Sequence, residues 1–369
     1  MHAVIITNRV KRYVNGFKIM IEPLMELGYE VTWAGDFTEF KEDINAIPCN
    51  IYQVNFRSNP FNINNIKAYF QLRRLFNEKQ VELVHCNTPI GGVLGRICAK
   101  QAKIKRIIYT AHGFHFYEGA PLINKILFKK GEQYLAKITD TLITINNEDY
   151  QAAKKFILHS NGRLFLTHGA GIDTDITNKL DLQDVEKKRK EIKVPLMAKV
   201  IFSAGELNKN KNNEIIIRAI AKLNNPNIYY VLCGEGKLRD KLEKLAKELG
   251  VEDKVIFLGF RTDVLELLQA VDIFAMTSFR EGLPRSLMEA MVAGLPCIVS
   301  NIRGNRDLIH QEKGGYLSHP KDVNEFKNSI DKLVNDLDLT IQMGEFNKQV
   351  VKKFDIKTVK DEMKKIYME

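Results

Sequence analysis

An α/β protein of two parallel-sheet domains is predicted by three features of this sequence. They are its length, the alternation of short β-branched runs with helical patterns, and a restart of that alternation near residue 199. At 369 residues the chain exceeds one ordinary core and suits two. In the first half the strands fall at Ala3–Thr7, Glu30–Ala34, Glu82–His85, Arg106–Thr110 and Thr141–Ile145, separated by helical stretches such as Phe17–Leu27, Ile66–Lys79 and Gly91–Lys103. In the second half they fall at Lys199–Ala204, Ile228–Cys233, Lys254–Leu258, Ile273–Met276 and Cys297–Ser300, with helices over Glu214–Leu223, Leu238–Leu249, Val264–Gln269 and Ser286–Ala293. Between the two series lies a polar, lysine-rich stretch, Lys179–Lys193, followed by Val194-Pro195. The expected division is a Rossmann-like domain over 1–171, a hinge or linker over 172–198 and a second Rossmann-like domain over 199–354. A last helix, about 355–369, is expected to pack back on the first domain. Open parallel sheets bind ligands at the carboxyl ends of their strands, so two such domains facing across a cleft would share one ligand there.

Composition narrows the class. Hydrophobic residues at 45% and charged residues at 27% describe a soluble globular protein, and no stretch approaches the roughly 20 apolar residues of a membrane-spanning helix. The opening MHAVIITNRVKRYVNG has too short an apolar run for a signal peptide, and its basic residues follow that run; a cytoplasmic location is expected. Five cysteines lie far apart without a CxxC pair, so they read as small buried hydrophobes rather than as zinc ligands or disulfides. The net charge of +10 suits nucleic acid, an anionic membrane or phosphorylated substrates. No helix-turn-helix, zinc-finger or RNP-type signature supports nucleic acid, and lysines decorating solvated helices account for the charge equally well.

The most informative stretch is Thr277–Leu308, TSFREGLPRSLMEAMVAGLPCIVSNIRGNRDL. A strand ending near Met276 gives way to Arg280–Pro284 and then a helix. Pro284 suits a first helical turn, and Gly282 lets the backbone approach a ligand. The free N–H groups of Leu283, Arg285, Ser286 and Leu287 would form an anion site for a diphosphate. Glu281 and Glu289 flank that site and could accept hydrogen bonds from sugar hydroxyls. An ordinary amphipathic helix with a capping loop would look similar.

This segment resembles the E-x7-E signature of the retaining family-four glycosyltransferases, through Glu281, Glu289 and the surrounding EG-x-P and EAM-x-x-G-x-P pattern. That family has the GT-B fold of two Rossmann-like domains facing across a cleft. The resemblance implies that Glu281 contacts donor-sugar hydroxyls, that Glu289 holds the ribose hydroxyls, and that Gly282, Leu283 and Ser286 bind the diphosphate. Ser203–Asn212, SAGELNKNKN, is similar to the family's G-R-L-x-x-x-K-G loop and puts Lys211 on the phosphate-binding lysine. Here the expected arginine is Glu206. Either Glu206 points elsewhere, or Lys209 or Arg285 supplies the missing positive charge. Gly234, in Gly234-Glu235-Gly236, resembles a loop lining the nucleotide pocket, and Arg261 falls where the family contacts the base.

In the first half YTAHGFHFYEGAP, Tyr109–Pro121, follows a strand and is dense in histidine, aromatic and glycine residues. His112 matches the family's histidine facing the donor sugar, although a histidine capping a strand is the ordinary reading. His115, Tyr117 and Glu118 are candidates for the acceptor side. Near the amino terminus, Asn8–Phe17 takes the first strand into its helix, and Gly16 resembles the family's loop glycine without its usual partner. His168–Thr174, HGAGIDT, resembles the crossing between domains.

The resemblance spans nearly the whole chain, and GFHFYEGAP, REGLPRSLMEAM and IRGNRDLI look like the subgroup that builds bacterial capsule and exopolysaccharide repeat units. It implies a nucleotide sugar, UDP-linked by preference, as donor substrate rather than cofactor. It also implies an acceptor glycan on a polyprenyl diphosphate at the inner membrane face. The basic, aromatic-bearing segments Ile66–Lys79 and Ile123–Lys137 suit a peripheral contact with anionic lipid, or are core-facing helices with solvated lysines. No DxD-type motif occupies a matching position, so no metal is expected. Catalysis would rest on Lys211 and the helix start stabilising the departing diphosphate, with front-face attack and retention. A nucleotide-sugar epimerase or hydrolase on the same scaffold, and a non-catalytic sugar-nucleotide-binding partner subunit, remain as competing readings.

Overall fold

A computed structural model describes residues 1–12, 15–57, 59, 62–175 and 179–369. The chain forms two units, one of residues 1–171 and 354–369, the other of residues 172–353.

The first unit runs β1 (His2–Arg9), α1 (Asn15–Glu26), β2 (Glu30–Asp36), β3 (Asn50–Gln53), α2 (Asn65–Glu78), β4 (Val81–Asn87), α3 (Pro89–Gln101), β5 (Arg106–Ala111), α4 (Leu122–Ala136), β6 (Thr141–Thr144), α5 (Asn147–Ala153) and β7 (Arg163–Leu166). The second runs α6 (Leu182–Glu191), β8 (Lys199–Ala204), α7 (Glu214–Leu223), β9 (Ile228–Cys233), α8 (Arg239–Glu248), β10 (Val255–Gly259), α9 (Val264–Gln269), β11 (Ile273–Met276), α10 (Arg285–Val292), β12 (Cys297–Ser300), α11 (Asn305–Leu308), β13 (Gly315–Ser318), α12 (Val323–Asn335) and α13 (Leu337–Val351); α14 (Ile356–Met368) then returns to the first unit.

Both sheets are parallel. The first is ordered β3-β2-β1-β4-β5-β6-β7 and the second β10-β9-β8-β11-β12-β13. In each, the chain works outward from the centre in one direction and then the other. The reversal falls between β1 and β4 in the first sheet and between β8 and β11 in the second. At such a switch point the loops leaving the two central strands diverge and open a crevice at their carboxyl ends.

Helices cover both faces of the first sheet, because its strands are apolar on both sides. One face packs α2 and α3 through Leu72, Leu75, Phe76, Cys98 and Ala99. The other packs α1 and α14 through Ile19, Ile21, Leu24, Val359, Met363 and Ile366, in one cluster with Trp33 of β2. In the second unit Ile215–Ile217 of α7, Leu242 of α8 and Phe326 and Ile330 of α12 cover one face. Cys86, Cys98, Cys233 and Cys297 are buried and Cys49 half-buried, and all five are free thiols. Burial pushes the thiols of Cys86 and Cys98 up to about 12, so neither is a nucleophile near neutrality.

The stretch 172–198, expected as a hinge or linker, belongs to the second unit. Its lysines do not simply face water. Lys188 reaches Asp263 at 2.8 Å and Glu266 at 2.9 Å, and Arg189 reaches Asp272 at 2.8 Å, which ties α6 to the α9 end of the sheet. Ile176, Thr177 and Asn178 within that stretch lie outside the described residues.

Candidate functional site

The loops leaving β8 and β11 at the second switch point, 205–213 and 277–284, are joined by hydrogen bonds. Phe279 N–H donates to Asn210 O at 2.8 Å, and the Asn210 carboxamide donates to Arg280 O at 2.9 Å. The Thr277 hydroxyl donates to Lys211 O at 2.9 Å. This framework sets Lys211 against Glu281, Nζ to Oε1 at 2.8 Å, with the two side chains 22 and 16% exposed. Two residues that the sequence picks out separately thus form one shielded ion pair. Part of the Lys211 side chain lies over Gly205, where a Cβ would stand 3.2 Å from Cε and 3.6 Å from Nζ. Gly205 and Lys211 line one small pocket with Ser203, Asn213, Thr277 and Ser278.

Gly234 has a backbone reason to be glycine. Its φ is +144° and a Cβ would lie 2.0 Å from Gly205 O, so the β9–α8 turn rests directly on the β8–α7 loop. Leu207 N–H donates to Glu235 O at 2.8 Å across the same contact.

Pro284 stands at the N-cap of α10 rather than within its first turn, and the turn's first backbone bond is Met288 N–H to Pro284 O at 3.3 Å. The amides of Arg285, Ser286 and Leu287 precede that bond, as an anion site requires. Behind them the β12–α11 turn supports Gly282 and Glu281. Buried Arg303 donates Nε–H to Glu281 O at 3.0 Å, and Gly304, φ +77°, packs so closely that a Cβ would lie 2.4 Å from Gly282 O. In the sequence IRGN marks only the subgroup resemblance, and its Arg-Gly pair is the one local signal of this support.

Glu206 is exposed on the β8–α7 loop, and Lys209 is exposed beside it. Arg285, one of the candidates to replace the missing arginine, is instead held by Glu289, Nε to Oε1 at 2.9 Å, because i and i+4 share a helix face. Arg261 is engaged by Asp263 and by Glu191 of α6 rather than left open for a base. That network holds the Asp263 carboxyl well below the usual carboxylate range, with the Arg261 hydrogen bond as the main cause.

In the first unit the loops after β1, β4 and β5 gather at the other switch point. Asn8 accepts from Gly91 N–H at 2.6 Å, and His112 donates Nε2–H to Asn87 Oδ1 at 3.1 Å. The segment after His112 is anchored from α5. Buried Asp149 accepts from Phe114 N–H at 3.1 Å and from the Asn146 carboxamide at 2.8 Å, and Glu148 accepts from Glu118 N–H at 2.9 Å. His115 is turned toward Phe128 of α4 at 5.1 Å between ring centroids, and Tyr117 is half-buried. Gly16 lies in the first turn of α1 rather than in a loop, and a Cβ there would meet Ala170 Cβ at an ordinary 3.4 Å. Tyr13 and Val14 of the predicted Asn8–Phe17 loop lie outside the described residues. Asn146, Glu148 and Asp149 were missed because α5 is only seven residues long and carries no chemical motif.

Known proteins resemble this chain over both units. Residues 184–350 match the model described as glycosyl transferases group 1, and residues 15–146 match that described as glycosyl transferase 4-like. The chain is 34% identical to the putative glycosyltransferase EpsD of Bacillus subtilis, covering 86% of this chain and 84% of that one. It is 29% identical to the Escherichia coli UDP-Gal:α-D-GlcNAc-diphosphoundecaprenol α-1,3-galactosyltransferase over 83% of this chain and 80% of that one. Among solved structures, Anabaena Alr3699/HepE in complex with UDP and glucose superposes with a TM-score of 0.81 at 20% identity, covering 100% of this chain and 99% of that one.

Proposed function

This chain belongs to the group 1 glycosyl transferases with the GT-B fold, and from that premise we propose that it moves a sugar from a UDP-linked donor to a glycan acceptor on a polyprenyl diphosphate, with retention of configuration and without a metal, in capsule or exopolysaccharide synthesis. The observation that carries the reading is the Lys211–Glu281 pair beside the start of α10. The E. coli relative, whose name specifies UDP-Gal and a diphosphoundecaprenol acceptor, favours these substrate classes.

Transfer forms a bond from the acceptor oxygen to the anomeric carbon as the bond from that carbon to the diphosphate breaks. The acceptor's proton passes to the departing phosphate. Negative charge grows on the diphosphate, where Lys211 and the amides of residues 285–287 would meet it. An incoming diphosphate competes with Glu281 for the Lys211 ammonium. Donor binding therefore exchanges one ion pair for two interactions, Lys211 with phosphate and Glu281 with sugar hydroxyls.

The test is transfer from a panel of nucleotide sugars to a polyprenyl-diphosphate glycan, after donors have been ranked by thermal stabilisation. Glu281→Ala should abolish transfer with an unchanged melting curve, and Lys211→Ala should lower turnover by about 10²–10³-fold. EDTA should leave the rate unchanged, and the NMR of the product should show the donor's anomeric configuration. Full transfer in Glu281→Ala would remove that residue from the site, and donor turnover that ignores the acceptor would replace this reading with that of a hydrolase or epimerase.

A further inference from the structure

Behind the connection from β5 to α4 the first unit buries an arginine. The Arg96 side chain of α3 is only 1% exposed. Its Nε–H donates to Gly92 O at 2.7 Å, one turn back in the helix, and its Nη2 donates to Glu132 Oε2 of α4 at 2.9 Å. The guanidinium lies over the ring of Tyr109 in β5, 3.8 Å from its centroid. The Tyr109 hydroxyl in turn donates to Glu132 Oε1 at 3.4 Å. Gly92 makes room for the ring, since a Cβ there would lie 2.5 Å from Tyr109 Cε2. Three elements, α3, β5 and α4, thus meet at one carboxylate.

Among the described residues the other attachments of α4 are slight. Of its 15 residues Leu135 and Ala136, at the carboxyl end, are buried. Half-buried Phe128 meets His115 at 5.1 Å between ring centroids. Glu132 is the helix's single carboxylate, and its side chain is 17% exposed. Stability alone does not account for such a pair. Desolvating both charges offsets their attraction, and apolar side chains of similar volume often fill the same space without loss. What the charged pair supplies, and apolar contact does not, is a fixed direction.

Direction matters because of the stretch that hangs between the partners. Tyr109 and Glu132 flank residues 112–121, which leave β5 at His112 and enter α4 at Leu122. Holding the two together closes the base of that loop. Its middle is tied separately to α5, through Phe114 N–H to Asp149 and Glu118 N–H to Glu148. We propose that Arg96 and Glu132 are positioning residues: by fixing α4 against β5 they set the 112–121 segment, with His115, Tyr117 and Glu118, for the acceptor glycan. The acceptor clause rests on the proposed function; the clasp itself does not.

Replacing the pair with apolar residues of similar volume, Arg96→Met/Glu132→Leu, tests this. The melting temperature should equal or exceed that of the wild type. The KM for GlcNAc-diphosphoundecaprenol, the acceptor named for the E. coli relative, should nevertheless rise about tenfold, with kcat and the donor's KM unchanged. Hydrogen exchange at the Phe114 and Glu118 amides should quicken roughly tenfold, while amides of β9 in the second unit keep their rates. If the double variant does not fold, Tyr109→Phe carries the test, because it keeps the ring beneath Arg96 and removes only the hydroxyl. There the acceptor KM should rise about threefold. The proposal is overturned if the folded double variant keeps the wild-type acceptor KM and exchange rates, if donor and acceptor KM rise together, or if Tyr109→Phe leaves the acceptor KM unmoved. In a protein that transfers no sugar to this acceptor, the exchange rates alone decide the clasp, so its failure is separable from that of the transferase reading.

Discussion

Glu206 places a carboxylate on the loop that also carries Lys211, where the family pattern has arginine. It is exposed, and among the described residues no cation pairs with it. Nearby positive charge does not compensate evenly: Lys211 is shared with Glu281, and Arg285 is held by Glu289. On the proposed function, a diphosphate bound at this loop would meet a repulsive neighbour, partly screened by solvent and salt. Restoring the family residue should remove the repulsion and add an attraction. Glu206→Arg is expected to tighten UDP binding by about tenfold at low ionic strength, roughly 1.4 kcal/mol, and Glu206→Gln by less. Calorimetric titration across a salt series checks this, because the gain should shrink as salt rises. An unchanged affinity would mean that Glu206 points away from the diphosphate.

At the scale of elements, the second unit's site depends on turns that touch through backbone atoms. Gly234 combines a φ of +144° with a Cβ position 2.0 Å from Gly205 O, so a methyl group there must displace the β8–α7 loop or strain its own. Gly234→Ala should destabilise the second unit by about 2–4 kcal/mol and weaken donor binding, since Gly205 underlies Lys211. Urea unfolding followed by circular dichroism reads the first effect, and an unmoved midpoint would contradict it. This contact also shows how much the sequence could tell. Gly234 stood out as a glycine at a strand end, but its partner lies in another loop, and pairings between distant turns leave no periodic trace. The ten strands read from β-branched runs are all present. Among the described residues the unread strands, β3, β7 and β13, are four-residue edge strands, and β3 and β7 are only half-buried, which removes the continuous apolar run of a central strand. Lys211, Glu281 and Glu289 were singled out by the family pattern rather than by local chemistry, and that pattern did not announce the pairing of Lys211 with Glu281. The supports, Arg303, Gly304, Asn146 and Asp149, act through packing and caps and look locally ordinary.

Across the whole chain, the first unit is completed by residues 354–369, which return to it after the whole of the second unit. His85, in the middle of the first sheet, has Nδ1 2.6 Å from the Tyr367 hydroxyl and Nε2 2.8 Å from the Thr110 hydroxyl. Two neutral partners satisfy a neutral imidazole, and burial, assisted by His112 and Arg106, pushes its pKa down to about 3. In the unfolded chain the same group titrates near its ordinary value of about 6.5. Below that value the unfolded state takes up a proton that the native state refuses. The stability contributed by neutral His85 is thus fully present above about pH 6.5. It falls by about 1.4 kcal/mol per pH unit as the pH drops toward 3. Trp33, the sequence's single tryptophan, shares a core with Val359, Met363, Ile366 and Tyr367, so its fluorescence follows loss of that packing. Denaturant midpoints from this signal should hold steady from pH 8 to 7 and decline between 6.5 and 5. In His85→Gln, where a neutral carboxamide can face both hydroxyls, the decline should be shallower by one proton's worth of slope. Equal slopes in the two proteins would show that His85 takes up its proton with the fold intact and that the docking of α14 tolerates a buried cation.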